Sequence, residues 1–125
     1  MTVFSREYPL NIIITHYNDV DNLTKTLKSI CSQSFTDYVV HIIDAGTSDL
    51  HMRLSLFLSD TRFTLYILKS SGIYEGMNMG LSLVPYGQMY HIINSGSLYP
   101  SVETLLSATN AVLSISALHV FQSLC

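Results

Sequence analysis

Four short apolar runs, each closed by a polar loop and separated from the next by a helical stretch, constrain this chain more than any other feature. They read "LNIIIT", "YVVHIID", "FTLYIL" and "QMYHII". A continuous apolar run of this length suits a strand buried on both faces, as in a parallel sheet. Between the first two runs, Val20, Leu23, Leu27, Ile30 and Cys31 fall on one side of a helix. A second helix follows with Leu50, Leu54, Phe57 and Leu58 as its apolar face and Thr47 or Ser48 as its cap. A third lies behind Gly72, with Ile73, Met77, Leu81 and Val84 at helical spacing. Pro100 and Ser101 open a further helix (Val102, Leu105, Leu106), and "ALHVF" reads as a fifth strand. Strand and helix alternate throughout. That alternation predicts right-handed βαβ units in an α/β fold: a doubly wound, mostly parallel sheet with helices on both faces.

At 125 residues the chain fits one domain, 1–125. The net charge of −3 rests on only six basic residues, dispersed singly from Arg6 to Lys69, which excludes a nucleic-acid footprint. Cys31 and Cys125 make neither a disulfide framework nor a metal-ligand spacing, so a reducing, cytoplasmic setting is expected. Arg6 and Glu7 precede the first apolar run, unlike a signal peptide. The stretch 104–125 has no charged side chain, but Asn110, His119, Gln122 and several serines oppose a membrane span there. A signal-receiver domain would need a lysine after a late strand, and no Lys or Arg follows Lys69.

In doubly wound sheets, ligands bind beyond the carboxyl ends of the strands. Those ends are the loops at 15–18, 44–49, 70–72 and 94–97. Asp44 is followed by Ala-Gly-Thr-Ser-Asp. Its carboxylate suits either the N–H of a base and a ribose hydroxyl, or a turn in which Gly46, Thr47 and Asp49 do ordinary local work. Thr15, Tyr17 and Asn18 offer backbone groups, an aromatic face and an amide, which suit either a nucleobase or, as the simpler reading in isolation, an ordinary loop. His16 invites a catalytic role, yet "INSGS" is not the Gly-x-Ser-x-Gly elbow of hydrolases. Gly72, Gly76 and Gly80 stand four apart. Each interior glycine costs a helix about 1 kcal/mol relative to alanine. Bare positions on one helical face admit a close neighbour, either another element or a ligand. Glu75 and Asn78 share an adjoining polar face. The free N–H groups at the start of this helix would welcome an anion.

Taken together, "IIITHYND", "HIIDAGTSD", "SSGIYEGMNMG" and "YHIINSGSLYP" resemble the inverting nucleotide-sugar glycosyltransferases of the A-type fold, a family-2-like group. The resemblance runs over about residues 9 to 123, and Gly72, Ile73, Tyr74, Met77, Asn78 and Gly80 fall in register with its most specific motif. It implies a UDP- or similar nucleotide-sugar donor. Thr15, Tyr17, Asn18 and Asp44 would hold the nucleoside, and the segment with Gly72, Tyr74, Glu75 and Asn78 would lie along the diphosphate and sugar. Asn94 and Ser97 would occupy the metal-binding turn. The implied reaction transfers a sugar to a glycan or lipid-linked acceptor in polysaccharide synthesis, in the cytoplasm or at the inner membrane face. A non-catalytic nucleotide-binding or assembly module on the same scaffold is the alternative.

Three departures accompany the resemblance. Ser97 stands where the group has the aspartate that ligates magnesium or manganese, and a serine hydroxyl is a weak substitute for a hard anionic oxygen. Ser70 and Ser71 replace an Asp-Lys pair. The chain also stops near its fifth strand, short of the part that supplies the acceptor site and catalytic base, so truncation and homo-oligomeric self-association are expected.

Overall fold

The structure, a computed structural model, describes residues 8–112. The fifth strand expected at "ALHVF" lies outside the described residues.

The first apolar run forms β1 (Leu10–His16), with Ile12, Ile13 and Ile14 fully buried. It leads into α1 (Val20–Cys31), whose stripe of Leu23, Leu27 and Ile30 is also fully buried, while Cys31 at its end is exposed. β2 (Tyr38–Asp44) follows. The single helix expected next is two short ones, α2 (Leu50–Arg53) and α3 (Ser55–Leu58), meeting at Leu54. Bonds from Leu54 N to Leu50 O and from Leu58 N to Leu54 O run through the break, so the expected apolar face stays on the core. Neither Thr47 nor Ser48 caps α2. Asp49 precedes it in the left-handed region without a side-chain cap, because Thr47 is spent on Asp44. β3 (Phe63–Ile67), α4 (Ile73–Ser82) and β4 (Tyr90–Asn94) complete the sheet, and residues 104–112 are helical.

The four strands lie in the order β3-β2-β1-β4, all parallel. Register sets His16 beside Asp44 and Thr15 beside Asn94, so the strands reach their carboxyl ends together. One face of the sheet carries the main core, where Ile12, Ile14, Val40 and Ile42 pack with Leu23, Leu27, Ile30, Leu50 and Leu54. The opposite face receives α4.

Of the two neighbours the glycine face could admit, another element, the sheet, is the one that meets α4. Its buried residues are Gly76 and Gly80, whereas Ile73 is 53% exposed. A Cβ on Gly80 would overlap Ile13 Cγ2, and one on Gly76 would come within 3.2 Å of Thr15 Cγ2. The glycines let helix backbone lie directly on β1. Gly72 is different: it precedes the helix with φ −78°, and a Cβ there would meet only the Glu75 carboxylate at 3.7 Å.

Candidate functional site

A buried hydrogen-bond network holds the loops after β1 and β2 together. Asp44, wholly buried, accepts from the Thr47 hydroxyl (2.7 Å) and from His16 Nδ1 (2.9 Å) on Oδ1. Its Oδ2 accepts the N–H groups of Gly46 (3.0 Å) and Thr47 (2.6 Å). A carboxylate has about four acceptor positions, and all four are taken. Burial acts to raise the carboxyl pKa, but the bonds from Thr47, His16 and Gly46 outweigh it and hold Asp44 below its ordinary value. His16 Nε2 accepts the Asp19 N–H at 2.9 Å, which puts the ring proton on Nδ1. Thr47 Oγ1 also accepts the Asn18 N–H at 2.7 Å. Asn18 itself sits at φ +50° in the left-handed region, which asparagine tolerates better than most residues.

Above this network a cavity of about 290 Å³ opens over the carboxyl ends of β1, β2 and β4. The end of β1 and its loop contribute Thr15, His16, Tyr17 and Asp19, and β2 and its loop contribute Ile43 and Ala45. The start of α4 contributes Ser71, Gly72, Ile73 and Gly76, and the turn after β4 contributes Asn94 and Ser95. A second cavity of about 460 Å³ adjoins it, lined by Tyr17, Ala45, Gly46, Lys69, Ser70 and Ser71. Both are the polar, glycine-containing loops expected to form a site.

Of the residues singled out in the sequence, Thr15, Tyr17, Gly72 and Asn94 come together on the first cavity. Asn18, exposed, and Asp44, buried, do not line it: Asp44 has no free acceptor to turn toward a base, and it acts by fixing the loop that carries Ala45 and Gly46. Tyr74, Glu75 and Asn78 are exposed on α4 and do not line the cavity. Glu75 accepts the Gly72 N–H at 3.2 Å, closing the helix start. Sequence patterns give Asp19 and Lys69 no site role, Ser95 only its place in the 94–97 loop, and Thr47 only a capping or turn role. Only Thr47 carried a signal, lying three residues after an aspartate in a turn-forming stretch.

The turn Asn94-Ser95-Gly96-Ser97 is closed by the Ser97 N–H donating to Asn94 O at 3.0 Å, with Gly96 at φ +97°. Such a φ at the third position calls for glycine. Thr26 anchors the turn to α1, accepting from Gly96 N (2.8 Å) and donating to Ser97 O (2.9 Å). Ser97 is exposed and faces a neighbouring cavity with His91 and Tyr99. Burial lifts the Tyr99 hydroxyl to about 12 and lowers His91, whose Nδ1 lies 3.1 Å from the Tyr99 oxygen. Among the described residues no three His, Cys, Asp or Glu side chains gather around a point that could hold a metal ion. The turn's own side chains, Asn94, Ser95 and Ser97, are neutral. They do not make up a divalent-cation site. Among the described residues, no helix is long and apolar enough to cross a membrane.

A parallel sheet in this order, with a glycine-faced helix opening onto the carboxyl ends of its strands, is the architecture of the A-type nucleotide-sugar transferases, and this chain has that fold. Among solved structures, TarS of S. aureus superposes with a TM-score of 0.70 at 20% identity, over 82% of this chain and 19% of TarS. Its fragment 1–349, solved with UDP-GlcNAc, matches with the same TM-score and identity, over 30% of that chain. The mannosyltransferase PcManGT of Pyrobaculum calidifontis, solved with GDP-Man and Mn2+, superposes with a TM-score of 0.69 at 20% identity, over 88% of this chain and 33% of its own. The chain thus spans a fifth to a third of the proteins it resembles. No protein-family model matches the sequence.

Proposed function

We propose that this chain binds a nucleoside-diphosphate sugar and forms the donor-binding half of an inverting glycosyltransferase acting in glycan synthesis. One observation carries the reading. The cavity lies at the carboxyl ends of β1, β2 and β4, against the start of α4, in a fold whose solved members hold UDP-GlcNAc and GDP-Man. The Tyr17 ring, 64% exposed and common to both cavities, supplies the stacking face for a base. Asp44 serves the nucleoside through the loop it fixes. Beyond the Gly72 N–H, which Glu75 takes, the first-turn N–H groups and dipole of α4 favour the diphosphate. Tyr74, Glu75 and Asn78, exposed on α4 and outside both cavities, are given no contact with the donor.

In the reaction an acceptor hydroxyl attacks the anomeric carbon and the nucleoside diphosphate leaves from the opposite face. This chain's part is to hold and orient the donor, and to stabilise charge on the leaving diphosphate. Because the turn at 94–97 offers only neutral side chains, no step is assigned to a cation. Calorimetric titration with UDP-GlcNAc, GDP-mannose and their parent diphosphates tests the reading. Saturable binding of a diphosphate nucleotide is expected, and its absence across the panel would remove the donor assignment.

A further inference from the structure

We propose that Lys69 is the residue of this chain that meets the negative charge of the donor's diphosphate; the proposal rests on the donor-site reading above. Its backbone is held on both sides. Leu68 N donates to Asp44 O at 2.8 Å and Ser70 N to Ala45 O at 3.0 Å, which lashes the end of β3 to the loop after β2. Ser70 then turns through the left-handed region at φ +59°. The Lys69 stem runs along Gly46, where a Cβ would lie 3.5 Å from Lys69 Cγ, and Gly46 itself is at φ +118°.

Lys69 lines the second cavity, which shares Tyr17, Ala45 and Ser71 with the cavity at the start of α4. Among the described residues it is the only lysine or arginine lining either cavity. No carboxylate among the described residues pairs with it. An ammonium group is a donor without acceptor capacity, so it cannot answer the N–H of a base, while its compact charge suits phosphate oxygens. The chain carries a net charge of −3, so a bound diphosphate needs local positive charge. The start of α4 supplies a partial charge and Lys69 a full one.

The test is calorimetric titration of UDP and GDP, each beside its nucleoside, into the parent chain, Lys69→Ala and Lys69→Arg. Lys69 is exposed, so both variants should keep the parent's circular dichroism. Lys69→Ala is expected to weaken diphosphate binding about ten-fold or more, close to 1.4 kcal/mol, and to leave nucleoside binding unchanged. Lys69→Arg, which keeps the charge, should stay within about three-fold of the parent. Added salt should weaken the parent more than Lys69→Ala. Equal diphosphate binding by parent and Lys69→Ala would overturn the lysine's role and leave the donor reading standing. Equal losses for nucleoside and diphosphate would also overturn it, pointing to the base or the loop. If neither diphosphate binds the parent, the donor reading falls and the proposal with it.

Discussion

His16 Nδ1 lies 2.9 Å from Asp44 Oδ1, both side chains fully buried, and through this pair the loop after β1 is locked to the loop after β2. The same ring reaches Asp19 at the start of α1 through Nε2. Asp44→Asn keeps the shape but puts an amide NH₂ where donors converge. It should destabilise the fold by about 1–3 kcal/mol, the usual cost of leaving buried hydrogen-bonding groups unsatisfied. Denaturant unfolding checks this, and an unchanged midpoint would mean the network is slack. Nucleotide binding should weaken as well, since Ala45 and Gly46 lose their anchor.

Gly80 and Ile13 set the distance between α4 and the sheet. Gly80→Ala gains up to about 1 kcal/mol in helix propensity, but its methyl would overlap Ile13. Overpacking of a core costs about 1–3 kcal/mol, so the variant should be less stable than the parent. Ile13→Ala should cost less beside Gly80→Ala than it does in the parent, because it removes the Cγ2 that the methyl would meet. If Gly80→Ala is stabilising by thermal unfolding, the close approach of helix and strand is wrong.

A pH-dependent loss of stability is expected from His41. Its Nε2 lies 3.2 Å from Asn11 Oδ1, the bond made by the neutral Nε2-protonated ring, and Nδ1 is buried with no partner among the described residues. Burial lowers its pKa from the ordinary 6.5. The unfolded chain therefore takes up the proton first. Stability from this group is present above pH 6.5 and is lost as pH falls toward the lowered folded value. The carboxyl of Asp44, also lowered, gives its own loss only below its ordinary 3.8. Unfolding midpoints across this range should decline less steeply in His41→Gln than in the parent, and identical slopes would contradict the assignment.

Ser97 gives a prediction about metal. Loss of a supporting partner around a bound metal typically costs about 10–100-fold in affinity, and loss of an anionic ligand should cost no less. The parent's nucleotide affinity should therefore change little with manganese. Ser97→Asp, on a turn that Thr26 already holds, should gain about ten-fold or more with manganese and lose it with chelator. Strong manganese dependence in the parent would show that another group supplies the ligand. No response in either form would make the turn purely structural.

How much of this was legible in the sequence depends on what side-chain patterns record. The strands were plain because Ile12, Ile13, Ile14, Val40 and Ile42 are apolar on consecutive or alternate positions and are all buried. The packing face of α4 was legible in part: Gly76 and Gly80 marked a bare face for a close neighbour, but glycine has no side chain to say whether that neighbour is sheet or ligand. Once Gly76 and Gly80 face the sheet, residues two positions away point about 200° around the helix. That rotation sends Tyr74 and Asn78 outward, away from the cavity. Asp44 was placed correctly at a strand end. Its four donors come from His16, Gly46 and Thr47, and the share of His16, brought in by strand register, could not be counted from local sequence. Lys69 carried no motif: its place depends on how the loop after β3 is tied to the loop after β2.

The most direct measurement of the central claim is isothermal titration of the chain with UDP-GlcNAc and GDP-mannose, with UDP, GDP and a non-nucleotide sugar phosphate as comparisons. The account predicts saturable, one-to-one binding of at least one diphosphate nucleotide, lost when Tyr17→Ala removes the ring shared by the two cavities and absent for the sugar phosphate. Binding of none of the nucleotides by a folded chain, or equal binding after Tyr17→Ala, would contradict it.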